Sequence, residues 1–178
     1  MEVQIYSELL FFNVILSMNR ISSFPPLVFE NSKILILGSV PGIKSLEMQQ
    51  YYAHPRNKFW KILFELFQED FTGDYTERIN LLKKNHIALW DVIDSCERKG
   101  SLDVKIKNEK RNDIEKFLSE NPNIKAIFCN GQKAFKNVQK NKDLVALIPI
   151  FVLPSTSPAH AVPYDKKLEA WTKIKFHL

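Results

Sequence analysis

Four short apolar runs constrain this chain more than any other feature. They are Ile34-Leu35-Ile36-Leu37, Ile87-Ala88-Leu89-Trp90, Ile124-Lys125-Ala126-Ile127-Phe128 and Ile148-Pro149-Ile150-Phe151-Val152-Leu153. Each is rich in branched residues and nearly continuous in hydrophobicity, the pattern of strands covered on both faces. Helical patterns lie between them. In 57–67, Lys58, Lys61 and Glu65, continued by Gln68, form one polar stripe on an otherwise apolar surface, which predicts a mostly buried helix. Residues 74–85 also read as helix. Another is expected to start near Asn112, where Asn112-Asp113-Ile114-Glu115 has capping-box spacing. A short helix should follow Gly131, and the last should align Leu168, Trp171 and Ile174. The polar stretch Glu97 to Lys110 reads as a long surface loop.

Alternating strand and helix predict an α/β fold, a three-layer α/β/α sandwich around a central four-stranded parallel sheet. Ligands of such sheets bind outside the carboxyl ends of the strands, so the loops after Leu37, Trp90, Phe128 and Leu153 are where function should sit. At 178 residues one domain accounts for the chain. Residues 1–17 read as an N-terminal extension to a domain over 18–178. Their apolar run, Leu9 to Leu16, is interrupted by Asn13 and follows Glu2 and Glu8, which fits no secretion signal. It also falls short of the roughly 20 residues of a membrane span.

Twenty-five Lys and Arg against twenty Asp and Glu leave a formal charge of +5, which favours a polyanionic partner. Cys96 and Cys129 lack metal-site spacing and read as reduced thiols of a cytoplasmic protein. The expected form is a monomer with no metal, no other cofactor and no membrane attachment.

Three loops carry the residues suited to chemistry. Gly38-Ser39-Val40-Pro41-Gly42-Ile43-Lys44-Ser45-Leu46 is either a plain turn or a cradle of exposed amides for an anion. Tyr51-Tyr52-Ala53-His54-Pro55-Arg56-Asn57-Lys58 brings aromatic, basic and amide groups together before the buried helix. Its tyrosines suit stacking on an extruded base and its cations suit phosphates, while Asn57 serves equally as a helix cap. Leu153-Pro154-Ser155-Thr156-Ser157-Pro158-Ala159-His160 offers hydroxyls and an imidazole after the fourth strand. Asp91 and Asn130 each lie just beyond a strand at the same edge and either contact a ligand or structure a loop.

Together with Ser23-Phe24-Pro25-Pro26, Leu89-Trp90-Asp91-Val92-Ile93 and Gly100-Ser101-Leu102-Asp103, these segments resemble the uracil-DNA glycosylase superfamily, most closely its hypoxanthine-DNA glycosylase branch. The resemblance runs from about Arg20 to the C-terminus. It implies a uracil-DNA glycosylase-like fold and hydrolysis of the N-glycosidic bond of deaminated bases, foremost hypoxanthine, in DNA. A uracil- or mismatch-directed glycosylase and a non-catalytic DNA-binding module on the same fold are the alternatives. The superfamily usually places a catalytic Asp or Asn before the Pro-Gly step, where this chain has Val40. The branch is thought to draw that role from the asparagine of the His-Pro-Arg-Asn run, which corresponds to Asn57.

By the same resemblance Tyr52, with Tyr51 in reserve, stacks on the flipped base, and Ser39, Val40, Asp91 and Asn130 border it. His160, offset from the family position, steadies the departing base. Gly42, Lys44, Ser45, His54, Arg56, Lys58, Ser155, Thr156, Ser157 and Pro158 are the implied DNA contacts.

Overall fold

The period of two along each central strand decides the layering. The computed structural model describes residues 20–178, so the 1–17 extension lies outside the described residues. Strand β2 (Ile34–Gly38) follows a short β1 (Arg20–Ser22), and its side chains alternate: Ile34 and Ile36 face one layer, Leu35 and Leu37 the other. In β3 (Ile87–Asp91), Ile87 and Leu89 join the first layer and Ala88 the second. In β6 (Ala126–Asn130), Phe128 joins the first and Ile127 and Cys129 the second. With β7 (Ile150–Leu153) these strands form a parallel sheet in the order β3-β2-β6-β7.

Helices cover both faces. The first is packed by α2 (Phe59–Leu66), α3 (Tyr75–Lys84) and α7 (Tyr164–Trp171), through Phe59, Ile62, Leu63, Leu82 and Trp171. Ile174, in the 3-10 turn Thr172–His177, continues that contact. Ile114 and Phe117 of α4 (Ile114–Glu120) and Ala134 and Val138 of α5 (Gln132–Val138) pack the second face. The expected α/β/α sandwich is therefore the observed one. Because chain connections leave β2 in one direction and reach β6 in the other, the crevice of the sheet opens at the carboxyl ends of those two strands, Gly38 and Asn130.

The structure departs from the sequence reading at the Glu97 to Lys110 segment, at two short helices and at one helix cap. The segment Glu97 to Lys110 is not one loop: β4 (Ile93–Glu97) and β5 (Lys107–Arg111) pair antiparallel, and β1 joins them in a second sheet. The strand Lys107-Asn108-Glu109-Lys110-Arg111 is held by backbone pairing and buries little, so it has no apolar run to announce it. Short helices α1 (Ile43–Met48) and α6 (Lys142–Leu147) also lacked a clear apolar stripe. Finally, Asp113 rather than Asn112 caps α4, accepting from the Lys116 amide at 3.0 Å, while the Asn112 carboxamide donates to the Asp91 carbonyl at 2.9 Å.

Trp171 links the helical layer to the last loop, since its fully buried ring meets Phe59 edge-on and its Nε1 donates to the Pro154 carbonyl at 3.0 Å. Replacing it with Phe removes that donor and some packed volume. Trp171→Phe is expected to lower the unfolding free energy by about 1–3 kcal/mol, read from urea denaturation with an unchanged slope.

Candidate active site

Gly38 ends β2 with no room for a side chain. A Cβ there would stand 2.4 Å from Asp91 Oδ1 and 2.7 Å from the Tyr52 hydroxyl, so only glycine lets both groups approach. Tyr52 reaches this position with a left-handed backbone, φ 54°, a conformation unfavourable for a tyrosine. Its ring lies stacked on Phe59 at 3.9 Å and 17°, and that contact offsets the strain. Phe59 thus backs one face of the tyrosine.

Asp91 is only 3% exposed, and neither its Oδ2 nor the Tyr52 hydroxyl has a hydrogen-bond partner among the described residues. Two buried polar groups left unpaired beside one glycine mark a place where a ligand's polar edge would complete the bonding. Burial, reinforced by the charge of Asp103 and opposed by Arg98, pushes the Asp91 carboxyl up to about 7. Burial and then the Asp91 charge hold the Tyr52 phenol well above its ordinary range. A protonated Asp91 presents one donor and one acceptor side by side, the complement of a lactam N–H/C=O edge; ionised, it offers acceptors alone.

The first loop is tied down by residues from beyond β4. Ser39 Oγ donates to Asp103 at 2.9 Å, and the Ile43 amide donates to Ser101 Oγ at 3.0 Å. Arg98, buried, donates to the carbonyls of Pro41 and Gly100 and stands 3.9 Å from Asp103. Gly42 lies directly against Ser101. Sequence reasoning missed Arg98, because a lone arginine in a polar stretch carries no sign that it will be buried.

The last loop is clamped from β6. Asn130 Oδ1 accepts from the Thr156 amide and its Nδ2 donates to Thr156 Oγ1, both at 2.9 Å. The Lys58 amide donates to the Thr156 carbonyl at 3.0 Å, which joins the Tyr51–Lys58 segment to this turn. Gly131, at φ 97°, permits the chain to pass Ser155. Lys167, a buried cation that sequence reasoning also missed, donates to the His160 carbonyl at 2.9 Å and reaches that of Ser157 at 3.4 Å. Beside it opens a cavity of about 350 Å³ walled by Arg56, Lys58, Ser157, Pro158, His160 and Lys167. Tyr52, Asn57 and Asp91 are not among its walls, so the cationic cavity and the Gly38 cluster are neighbouring features of one edge.

The remaining expected residues divide. Asn57 Oδ1 accepts from the Phe59 amide at 3.0 Å in a turn just ahead of α2, whose N-cap is Lys58 rather than Asn57, and its Nδ2 has no partner among the described residues. His54 Nδ1 accepts from the Arg56 amide at 3.2 Å. Lys44 is exposed and pairs with Glu47 at 2.6 Å. Four expected contacts turn inward. Tyr51 is buried with its hydroxyl on the Phe24 and Pro25 carbonyls, and Ser45 is buried accepting from the Ala53 amide. Thr156 is fully buried on Asn130, and the Val40 side chain packs in the core. Their side chains brace the loops and offer nothing to a base or phosphate.

Comparison with known proteins decides the kinship. The family model described as the uracil DNA glycosylase superfamily matches residues 25–176. The chain belongs to this superfamily. Two relatives, each called a hypoxanthine DNA glycosylase, come from Methanosarcina barkeri and Methanosarcina acetivorans and are 44% and 40% identical over 112 residues, 62% of this chain and 71% of each relative. The solution NMR structure of a candidate uracil DNA glycosylase from Methanosarcina acetivorans superposes with a TM-score of 0.75 at 34% identity, covering 87% of this chain and 96% of that one. Where the superfamily resemblance implies Asp or Asn before Pro41, this member has a buried Val40. Two carboxylates stand at that loop: Asp103, which accepts from Ser39, and Asp91, delivered from the neighbouring strand against Gly38.

The Asp91 carboxylate opposes folding. Its native pKa stands above the unfolded value, so between about pH 4 and 7 the native state keeps a proton the unfolded chain has released, and stability falls as pH rises through that window. Asp91→Asn is therefore expected to change thermal stability little at pH 4 and to raise it at pH 8, by at most ~4 kcal/mol, read as a melting-temperature difference that grows up to about pH 7 and then levels off.

Proposed function

We propose that this superfamily member is a monofunctional DNA glycosylase that removes hypoxanthine from deoxyinosine in DNA. The observation that carries the reading is the unpaired Asp91 carboxyl and Tyr52 hydroxyl converging on Gly38. The names of the Methanosarcina relatives and the positive charge of the chain agree with it.

Reaching a glycosidic bond within a duplex requires the nucleotide to be extruded, which costs a few kcal/mol and least for a poorly paired base. In this reading the extruded base stacks against Tyr52, whose ring Phe59 backs. Neutral Asp91 donates to O6 and accepts from N1–H. Water attacks C1′ as the C1′–N9 bond breaks, the bonding electrons leave with the base, and the proton from water ends on the base. Catalysis of such a step rests on stabilising an oxocarbenium-like sugar and an anionic base. The free Nδ2 of Asn57 orients the water or supports the leaving base, and a neutral amide does this without taking a proton. Arg56, Lys58 and the Ser157–His160 turn hold the flanking phosphates.

Uracil and xanthine present the same lactam edge, so a comparison of substrates tests the assignment. Duplexes carrying inosine, uracil or xanthine are incubated under single turnover and abasic sites are cleaved with alkali. Inosine should be cut fastest; preferential cutting of uracil overturns the hypoxanthine assignment, and salt-sensitive binding without abasic product at enzyme excess overturns the enzyme.

The two proposed roles differ in their pH dependence. Excision should decline as pH rises through about 7, where Asp91 loses its proton. Asp91→Asn, whose amide keeps one donor and one acceptor, should retain activity at pH 8 and flatten that limb. Asn57→Ala should lower the rate by about two to three orders of magnitude and keep the limb.

A further inference from the structure

Hydrolysis of a glycosidic bond builds positive charge on the sugar and needs a water placed against C1′. An ionised carboxylate serves both ends. Val40 supplies neither, since its side chain packs in the core. Asp91 is buried and, while it keeps its proton, carries no charge to offer. Glu47, on α1, is exposed and paired with Lys44. The first loop is left with Asp103. Its side chain is 42% exposed, its Oδ1 accepts from Ser39 Oγ at 2.9 Å, and its Oδ2 has no partner among the described residues.

This carboxylate is held, not merely near. Ser39 ties it to the loop directly after Gly38, and Ser101, two residues before it, accepts from the Ile43 amide. Buried Arg98 stands 3.9 Å away while donating to the Pro41 and Gly100 carbonyls, so the same cation fixes the loop and faces the carboxylate. One oxygen is bound and the other is open at the rim of the Gly38 cluster, close enough for its charge to act on both Asp91 and Tyr52. A negative charge at an edge that receives DNA weakens binding by repelling phosphates, so its presence there points to the reaction rather than to affinity. We propose, on the glycosylase reading above, that Asp103 is a catalytic residue whose open oxygen holds the attacking water beside C1′. As the C1′–N9 bond breaks, its electron pair leaves with the base. The water oxygen bonds to C1′, its proton passes to Asp103 and from there to the expelled base, and the carboxylate is restored. The Asn57 carboxamide then serves the leaving base.

Asp103→Asn keeps an acceptor for Ser39 and removes the charge, which separates chemistry from bracing. Arg98 and Lys133 favour the ionised form of Asp103, while burial raises its pKa and the charges of Asp91 and Tyr52 lie on the same side. Single-turnover excision of inosine from a duplex is followed at saturating enzyme between about pH 4 and 9, with duplex affinity measured in parallel. The wild-type rate should fall as pH drops into the range where Asp103 takes up a proton. Asp103→Asn should be slower by about two orders of magnitude, should lack that acid limb, and should bind the duplex at least as tightly as wild type. A variant within about threefold of the wild-type rate, one that keeps the acid limb, or one whose loss of rate follows a loss of affinity overturns the role and leaves the glycosylase standing. If wild type excises no inosine, the glycosylase reading falls and the role of Asp103 falls with it.

Discussion

A carboxyl and a phenol held out of water against the α-carbon of one glycine organise this domain's functional edge. Among the described residues neither Asp91 Oδ2 nor the Tyr52 hydroxyl has a partner, and both are desolvated, so the fold tolerates a local penalty that the two-faced core must offset. The strained backbone of Tyr52 belongs to the same arrangement, since the ring can press on Gly38 only from the left-handed conformation that Phe59 stabilises by stacking. Strain, unmet hydrogen bonds and a displaced titration point therefore coincide at one place, as they do where a protein is built to receive something else.

Around that point the loops are braced by buried polar side chains. Arg98 fixes the first loop, Asn130 the last, and Lys167 the turn beyond it. Each acts on backbone carbonyls or amides, so the loops hold their shape before any ligand arrives. A pocket with this preparation loses little conformational entropy on binding.

Much of the layering could be read in the residues. Ile34 to Leu37 and Ile124 to Phe128 are buried on both sides, and continuous hydrophobicity is what such strands require. The functional edge followed from the same runs, because alternation of strand and helix places ligand loops at one end of the sheet. Hidden were the features that depend on long-range pairing of polar groups. Lys107 to Arg111 form a strand without an apolar face, and Arg98 and Lys167 are buried cations in segments of surface composition. Tyr51 and Tyr52 are neighbours of one residue type, and only the φ of Tyr52 sends the two rings to different fates. Asn57 stays double-natured: one end of its carboxamide holds the turn that leads into α2, and the other has no partner among the described residues.

The bidentate exchange between Asn130 and Thr156 has a consequence for how such a sequence can drift. One of its two bonds goes to the Thr156 backbone amide, which survives a change of side chain at 156, whereas losing Asn130 strands both that amide and the fully buried Thr156 hydroxyl. Lineages should therefore hold position 130 more tightly than position 156, even where the surrounding surface diverges.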